Sequence, residues 1–255
     1  MKNILFYGNC QLEKIKDILC LPSTSYNIKY IFCFNTTLSD LEFDKILKDS
    51  DIIITQPIED DYRDIYYLSS NYVINNCNPN SVIIFVNICY FDFYYFDLIY
   101  NKFNTGYCHK NMIDCIQNKY DYKYYQQNYI ENKDLKTSNE LNKIFHKTIC
   151  NLEERFKKMH QYTKCNTHFI NVIDFIKENY KKKLLFYTFN HPTKHLLQFI
   201  AEKIIQILCI PNTINYNSDP FSNDKFFLYS SLQKVVDFDI KQHNSLININ
   251  DIYNL

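Results

Sequence analysis

Short, wholly apolar runs alternate along the N-terminal part of the chain with stretches in which apolar residues recur every third or fourth position. The runs predict strands at Asn3–Tyr7, Ile28–Phe34, Asp51–Gln56 and Ser81–Asn87. The recurring pattern predicts helices at Gln11–Cys20, where Leu12, Ile15, Ile18 and Leu19 share a face, at Asp40–Lys48, and at Asp61–Ser70. Strand and helix in alternation read as an open parallel sheet flanked by helices, an α/β fold of flavodoxin type. From Asn104 to Tyr180 the strand signal ends. Leu141, Ile144, Phe145, Thr148 and Leu152 fit one helical face, and Phe169, Val172, Ile173 and Ile176 fit another, so residues 104–180 read as a helical insertion. An apolar run at Leu184–Phe189 has strand length, and the amphipathic helix carrying Leu196, Leu197, Ile200, Ile204, Ile207 and Leu208 follows it. The expected organisation is an α/β domain over residues 1–103, the insertion over 104–180, a returning strand and helix over 181–211, and an extension of unclear structure over 212–255.

Composition narrows the class. With 46% hydrophobic and 17% aromatic residues among 255, the chain has the apolar content to fold and bury a core. Its 28 basic and 28 acidic residues cancel, so charge offers no argument for a nucleic-acid partner. The N-terminus carries one Lys and then a strand, without a signal-peptide core. The longest apolar stretch, Val82–Tyr100, is interrupted by Asn87, Asp92 and Asp97 and does not read as a membrane span. A soluble, cytoplasmic protein is expected, its 10 Cys reduced in that compartment. No Cys-x-x-Cys pair occurs, so neither a structural zinc site nor any other metal is expected.

Candidate chemistry gathers at two corners. Gly8 is one of only 2 glycines and lies between the first strand and the first helix, where it permits a positive φ or a close approach by another molecule. The turn Gly8-Asn9-Cys10-Gln11 places a thiol and amides at a helix N-terminus, which favours an anion and lowers a thiol pKa. Cys10 is thus a candidate nucleophile, or else a small packing residue. Gln56, closing the Ile-Ile-Ile-Thr strand, is a candidate donor to a ligand carbonyl or a satisfied turn amide. His191, before Pro192, is a candidate general base or a turn residue, and Pro192 suits a first helical turn. His191 and His195 are spaced i, i+4, but no third metal ligand is evident. The run Lys181–Lys183 is a solvated turn or a phosphate contact.

The order of these pieces resembles the WcbI-like family of polysaccharide-biosynthesis acetyltransferases. The matching stretches are Tyr7-Gly8-Asn9-Cys10-Gln11, Ile54-Thr55-Gln56-Pro57-Ile58 with Tyr62 shortly after, and Leu185-Phe186-Tyr187-Thr188-Phe189-Asn190-His191-Pro192-Thr193; the stretch from Leu152 to Ile176 resembles the family's helical region. The resemblance covers roughly residues 1–210, and the tail has no counterpart in it. That family is in turn similar to SGNH hydrolases, in which a Ser in a Gly-Asp-Ser turn is the nucleophile and an Asp-x-x-His supplies the base. Cys10 stands in the place of that Ser and His191 in the place of that His. Thr188 occupies the position of the orienting Asp.

The resemblance implies binding of coenzyme A and transfer of an acetyl group from acetyl-CoA to a sugar or nucleotide-sugar acceptor, with no nucleic acid, no membrane span and a possible homo-oligomer. It implies His191 and Cys10 as catalytic residues, expected within reach of one another. Gly8, Asn9, Gln11, Gln56, Tyr62 and Asn190 would bind substrate or oxyanion, and Lys182, Lys183, Thr193 and Lys194 the cofactor. The absent Asp favours direct transfer with His191 as base over an acetyl-thioester at Cys10. The alternatives are a hydrolase acting on acylated glycans and a non-catalytic CoA or glycan binder.

Overall fold

The computed structural model describes residues 1–34, 37–101, 106–164, 166–211 and 213–247. The expected boundary at 103/104, Cys165 and the last eight residues lie outside the described residues. In chain order the elements are β1 (Lys2–Gly8), α1 (Cys10–Leu19), β2 (Tyr26–Phe32), α2 (Asp40–Asp49), β3 (Ile52–Thr55), α3 (Ser70–Asn76), β4 (Val82–Val86), β5 (Leu98–Asn101), β6 (Gly106–His109), α4 (Lys110–Gln117), α5 (Tyr122–Tyr125), α6 (Ser138–Met159), β7 (Thr167–Ile170), α7 (Ile173–Asn179), α8 (Lys194–Leu208) and α9 (Ile240–Asn244). The chain forms two compact units. One comprises Met1–Ile88, Leu152–Asp174 and Lys194–Pro220, the other Cys89–Asn151, Phe175–Thr193 and Phe221–Leu255.

The first unit is built on a five-stranded parallel sheet of order β2-β1-β3-β4-β7. Its central strands β1, β3 and β4 are buried along most of their length, while the edge strands β2 and β7 are part exposed. Leu5, Tyr7, Ile53 and Phe85 pack with Phe43, Leu47, Val73, Met159 and Tyr162 in one core. The helices begin on local side chains: Ser39 and Glu42 form a capping box at α2, and Ser69 accepts from the Tyr72 N–H at α3. Chain order reverses between β1 and β3, so the switch point of the sheet lies at the carboxyl ends of those two strands. A ligand of an open α/β sheet binds at such a point.

Three sequence expectations are corrected here. The helix expected over Asp61–Ser70 begins where it was expected to end. Residues 62–68 form two single 3-10 turns, with Arg63 and Asp64 in left-handed conformations, and α3 starts only after the Ser69 cap. The stretch 104–180 is not purely helical. It holds the antiparallel pair β5–β6 and β7, which completes the main sheet beside β4. Phe169 belongs to that strand, not to the helical face of Ile173 and Ile176.

The third correction concerns Leu184–Phe189, which joins neither sheet among the described residues. It folds back on Asn190–Thr193 as a tight hairpin, with one bridge between Phe186 and Pro192. The Tyr187 N–H donates to the His191 carbonyl at 2.8 Å, and the Thr193 N–H to the Leu185 carbonyl at 2.8 Å. Pro192 therefore sits in the hairpin and precedes α8. This run is apolar because it lines the aromatic core of the second unit. Phe186 stacks on Phe91 with centroids 5.2 Å apart, and the Tyr95 hydroxyl donates to the Phe186 carbonyl at 3.2 Å.

In that unit Phe91, Phe93, Phe145 and Tyr180 pack ring on ring. A second cluster holds Met112, Tyr125, Ile130, Phe227 and Tyr229. Beside it, Asp97 accepts from His109 Nδ1 at 2.7 Å and from the Tyr229 hydroxyl at 2.5 Å. No helix among the described residues is long and apolar enough to cross a membrane.

Candidate active site

In the first unit β1 ends at Gly8, opposite Phe32 of β2, and α1 begins two residues later. Asn9 is its N-cap: the side-chain oxygen accepts from the Gln11 N–H at 2.9 Å, which leaves Nδ2 as the end of that amide the cap does not use. Cys10 is therefore the first residue of a helix at the sheet's switch point. Gln56 arrives from the carboxyl end of the neighbouring β3. Its Oε1 accepts from the Asn9 N–H at 3.0 Å and its Nε2 donates to Gln11 Oε1 at 3.3 Å. Gln56 is 2% exposed and Gln11 1%, so the two amides form a buried brace beneath the turn. The Asn9 and Gln11 N–H groups thus have acceptors within the protein.

Gly8 has no positive φ; close approach is what requires it. A Cβ there would meet Leu12 Cδ1 at 2.6 Å and Gln56 Oε1 at 2.8 Å. Gly8→Ala is expected to push Gln56 off the Asn9 N–H and to lower stability by about 1–3 kcal/mol, the range for overpacking a close-packed site. Urea unfolding measures it, and an unchanged midpoint would contradict the brace.

Two phenols missed in the sequence, or only half read there, complete this corner. The Tyr30 hydroxyl donates to the Asn9 carbonyl at 2.8 Å and approaches the Gly8 carbonyl at 3.3 Å. Burial, then the nearby Glu13 carboxylate and the Cys10 thiol, push its ionisation far up, so it stays a donor. No pattern marks Tyr30 among 23 tyrosines. Tyr62, a predicted site residue, is half-buried beside Cys33. Burial raises the ionisation of both the phenol and the thiol. The Arg63 guanidinium lies 5.7 Å from the Tyr62 ring centre and 5.9 Å from that of Phe34.

His191 sits in the second unit, in the hairpin turn. The Thr188 hydroxyl accepts from the His191 N–H at 3.1 Å and the Asn190 N–H at 3.4 Å, and donates to Asn190 Oδ1 at 2.9 Å. Thr188 thus closes the turn through the backbone. The Tyr107 hydroxyl also donates to Asn190 Oδ1, at 2.9 Å. The imidazole stacks on Phe221, with centroids 4.5 Å apart and planes 5° apart, and meets Tyr107 edge-on at 5.5 Å. Asp224 Oδ2 lies 3.2 Å from Nδ1, an ion-pair contact and not an aligned hydrogen bond. Residue 188, where the resemblance implies an orienting Asp, is Thr, and the carboxylate beside Nδ1 is that of Asp224 in the C-terminal segment.

Of the predicted cofactor residues, Lys182, Lys183 and Thr193 belong to the second unit and Lys194 to the first. Lys182 is exposed, and the Lys183 ammonium lies 5.5 Å from the Phe175 ring centre. Thr193 is 2% exposed and its hydroxyl donates to the Leu184 carbonyl at 3.0 Å. Lys194 opens α8 in the first unit, its N–H on Asp219 at 3.2 Å. Among the described residues no group of three or more His, Cys, Asp or Glu could hold a metal. A cavity of about 590 Å³ in the second unit is lined by Tyr122, Gln126, Glu131, Lys133, Lys241 and Asn244 among others, and none of the predicted site residues lines it.

The fold is shared with a solved structure of WcbI, a polysaccharide biosynthesis enzyme described as native and without a disulfide bond between CoA and one of its cysteines. The TM-score is 0.79 at 23% identity, over 93% of this chain and 80% of that one. No curated protein matches the sequence. The sequence profile of the polysaccharide biosynthesis enzyme WcbI matches residues 3–213. Most of the chain, including both candidate corners as far as His191, lies within that match, and the protein belongs to the WcbI family of polysaccharide biosynthesis enzymes.

Proposed function

We propose that this protein transfers an acetyl group from acetyl-CoA to a hydroxyl or amine of a sugar or nucleotide-sugar in glycan biosynthesis. The observation that carries the reading is the turn Gly8–Gln11, a thiol on a braced helix N-terminus at the switch point of a parallel sheet. Family membership supports the glycan acceptor, and the mention of a CoA–cysteine disulfide for the WcbI structure supports a thiol of the protein near that of CoA.

In this reading His191 Nε2 takes the proton of the acceptor as its oxygen or nitrogen attacks the thioester carbonyl. The tetrahedral intermediate then collapses, the C–S bond breaks, and the CoA thiolate leaves with the proton returned from His191. The Asn9 Nδ2 amide is the donor assigned to the oxyanion. One such donor typically contributes about 3 kcal/mol to lowering the barrier. Lys182, Lys183 and Lys194 are the cations assigned to the CoA phosphates.

Titration calorimetry at near-physiological salt is expected to show CoA and acetyl-CoA binding with Kd below about 1 mM, a free energy more favourable than about −4 kcal/mol. No heat from either ligand at millimolar concentration overturns the transferase reading in favour of hydrolysis of acylated glycans.

A further inference from the structure

Thr188 cannot act on the His191 ring as a carboxylate would, and its hydroxyl is engaged with the turn. What meets the ring comes in part from Phe221 and Asp224, beyond the residues that the family profile matches. We propose that Asp224 is the positioning carboxylate of His191, supplied by the C-terminal segment in place of the residue three before the histidine. The segment 221–229 is then part of the reacting machinery and not an appendage.

The geometry separates two tasks. Phe221, itself buried, lies flat against one face of the imidazole, and Tyr107 meets it edge-on. Together they fix the plane of the ring. Neither contact distinguishes the two ring nitrogens. Asp224 does: a carboxylate beside Nδ1 keeps the proton on that nitrogen, leaves the Nε2 lone pair to receive the acceptor's proton, and stabilises the imidazolium that forms. At 3.2 Å the carboxylate is within ion-pair range of Nδ1.

The segment is held by anchors of its own. Phe227 stacks on His109 with centroids 4.9 Å apart, and the Leu228 N–H donates to Asn244 Oδ1 at 2.9 Å. Tyr229 donates to Asp97 at 2.5 Å. Among the described residues of this unit, Asp224 and the Tyr107 phenol meet the ring, and Lys225, next to Asp224 in the chain, has its ammonium 5.6 Å from the Tyr187 ring centre. Lys225 and Tyr107 remain in every variant below, so their influence cancels.

The inference rests on His191 being the base, and its test reads the imidazole directly. In protein labelled with isotopic histidine, the His191 resonance is identified by its loss in His191→Gln and titrated in the wild type, Asp224→Asn and Asp224→Glu. Removing the charge is expected to lower the His191 midpoint by about half to one pH unit, modest because the Asp224 side chain is 43% exposed and such pairs are screened. It also moves population from the Nδ1–H to the Nε2–H tautomer, and Asp224→Glu restores most of both. In acetyl transfer kcat falls with KM little changed, and the acid limb of its pH profile moves with the resonance.

An unmoved midpoint and tautomer in Asp224→Asn, with the circular dichroism of the wild type, overturns the inference. Should the resonance move as expected while the wild type transfers no acetyl group, the pairing stands and the transferase reading falls.

Discussion

Replacing His191 by Ala is expected to lower the turnover of acetyl transfer by about 10²–10⁴, the usual worth of a positioned general base, while CoA affinity stays nearly unchanged. The loss falls on kcat because the imidazole acts on the acceptor's proton, not on the CoA phosphates. Steady-state kinetics with acetyl-CoA and a sugar acceptor, paired with calorimetry on the same variant, measure both quantities. A His191→Ala variant that retains wild-type turnover removes this residue from the mechanism.

What Cys10 does divides the two routes open to the same residues. In direct transfer Cys10→Ser is mild, because the brace of Gln56, Gln11 and Asn9 does not involve the thiol. If Cys10 carries the acyl group, Cys10→Ala abolishes activity. The wild type with acetyl-CoA alone then gains the mass of one acetyl group, released on adding acceptor. The residue at 188 argues for direct transfer when read in sequence. With Asp224 beside the imidazole that argument lapses, and the trapped adduct decides. Hydrolysis of acetylated sugars faster than transfer overturns the transferase assignment itself.

The second large effect concerns stability. Asp97→Asn is expected to destabilise the second unit by about 1–3 kcal/mol, the range for losing hydrogen bonds to a buried charged acceptor. His109 is fully buried, and in the wild type its Nδ1 has the Asp97 carboxylate at 2.7 Å. Burial acts to raise the Asp97 pKa. The charge of His109, together with hydrogen bonds from His109, Tyr229 and the Asn111 N–H, outweighs it and holds the carboxyl below its ordinary 3.8. A depressed folded-state value means that this stabilisation is fully present above the ordinary carboxylate range and is lost as pH falls through the lowered value. Urea unfolding followed by circular dichroism at neutral pH measures the loss. On acidification the wild type should approach the stability of Asp97→Asn. Equal stability of the two proteins at neutral pH would contradict the pairing.

Much of the first unit is legible in the sequence because its signals act between near neighbours. The apolar run before Gly8, the cap at Asn9 and the three-to-four spacing of Leu12, Ile15 and Ile18 each specify local backbone, and β1, α1 and the Cys10 turn lie where they predict. The same holds for β3, β4 and the helical face of Leu141, Thr148 and Leu152. What escaped depends on a distant partner. Thr167–Ile170 is a strand because β4 offers it a ladder, and four residues carry too little periodicity to announce that. Leu184–Phe189 has a strand's composition but closes on its own hairpin, since its apolar side chains meet Phe91 and Tyr95 and no sheet edge. Gly8 stands out in a chain so poor in glycine, but what approaches it is Gln56 of the same chain, which only the β1–β3 pairing brings there. Tyr30 and Asp224 look like any other phenol or surface carboxylate along the chain. Local sequence determined which segments coil or extend and where the thiol and the imidazole turn; tertiary packing alone decided which side chains brace that thiol and which carboxylate meets that imidazole, because such contacts join residues with no constraint on one another until the chain has folded.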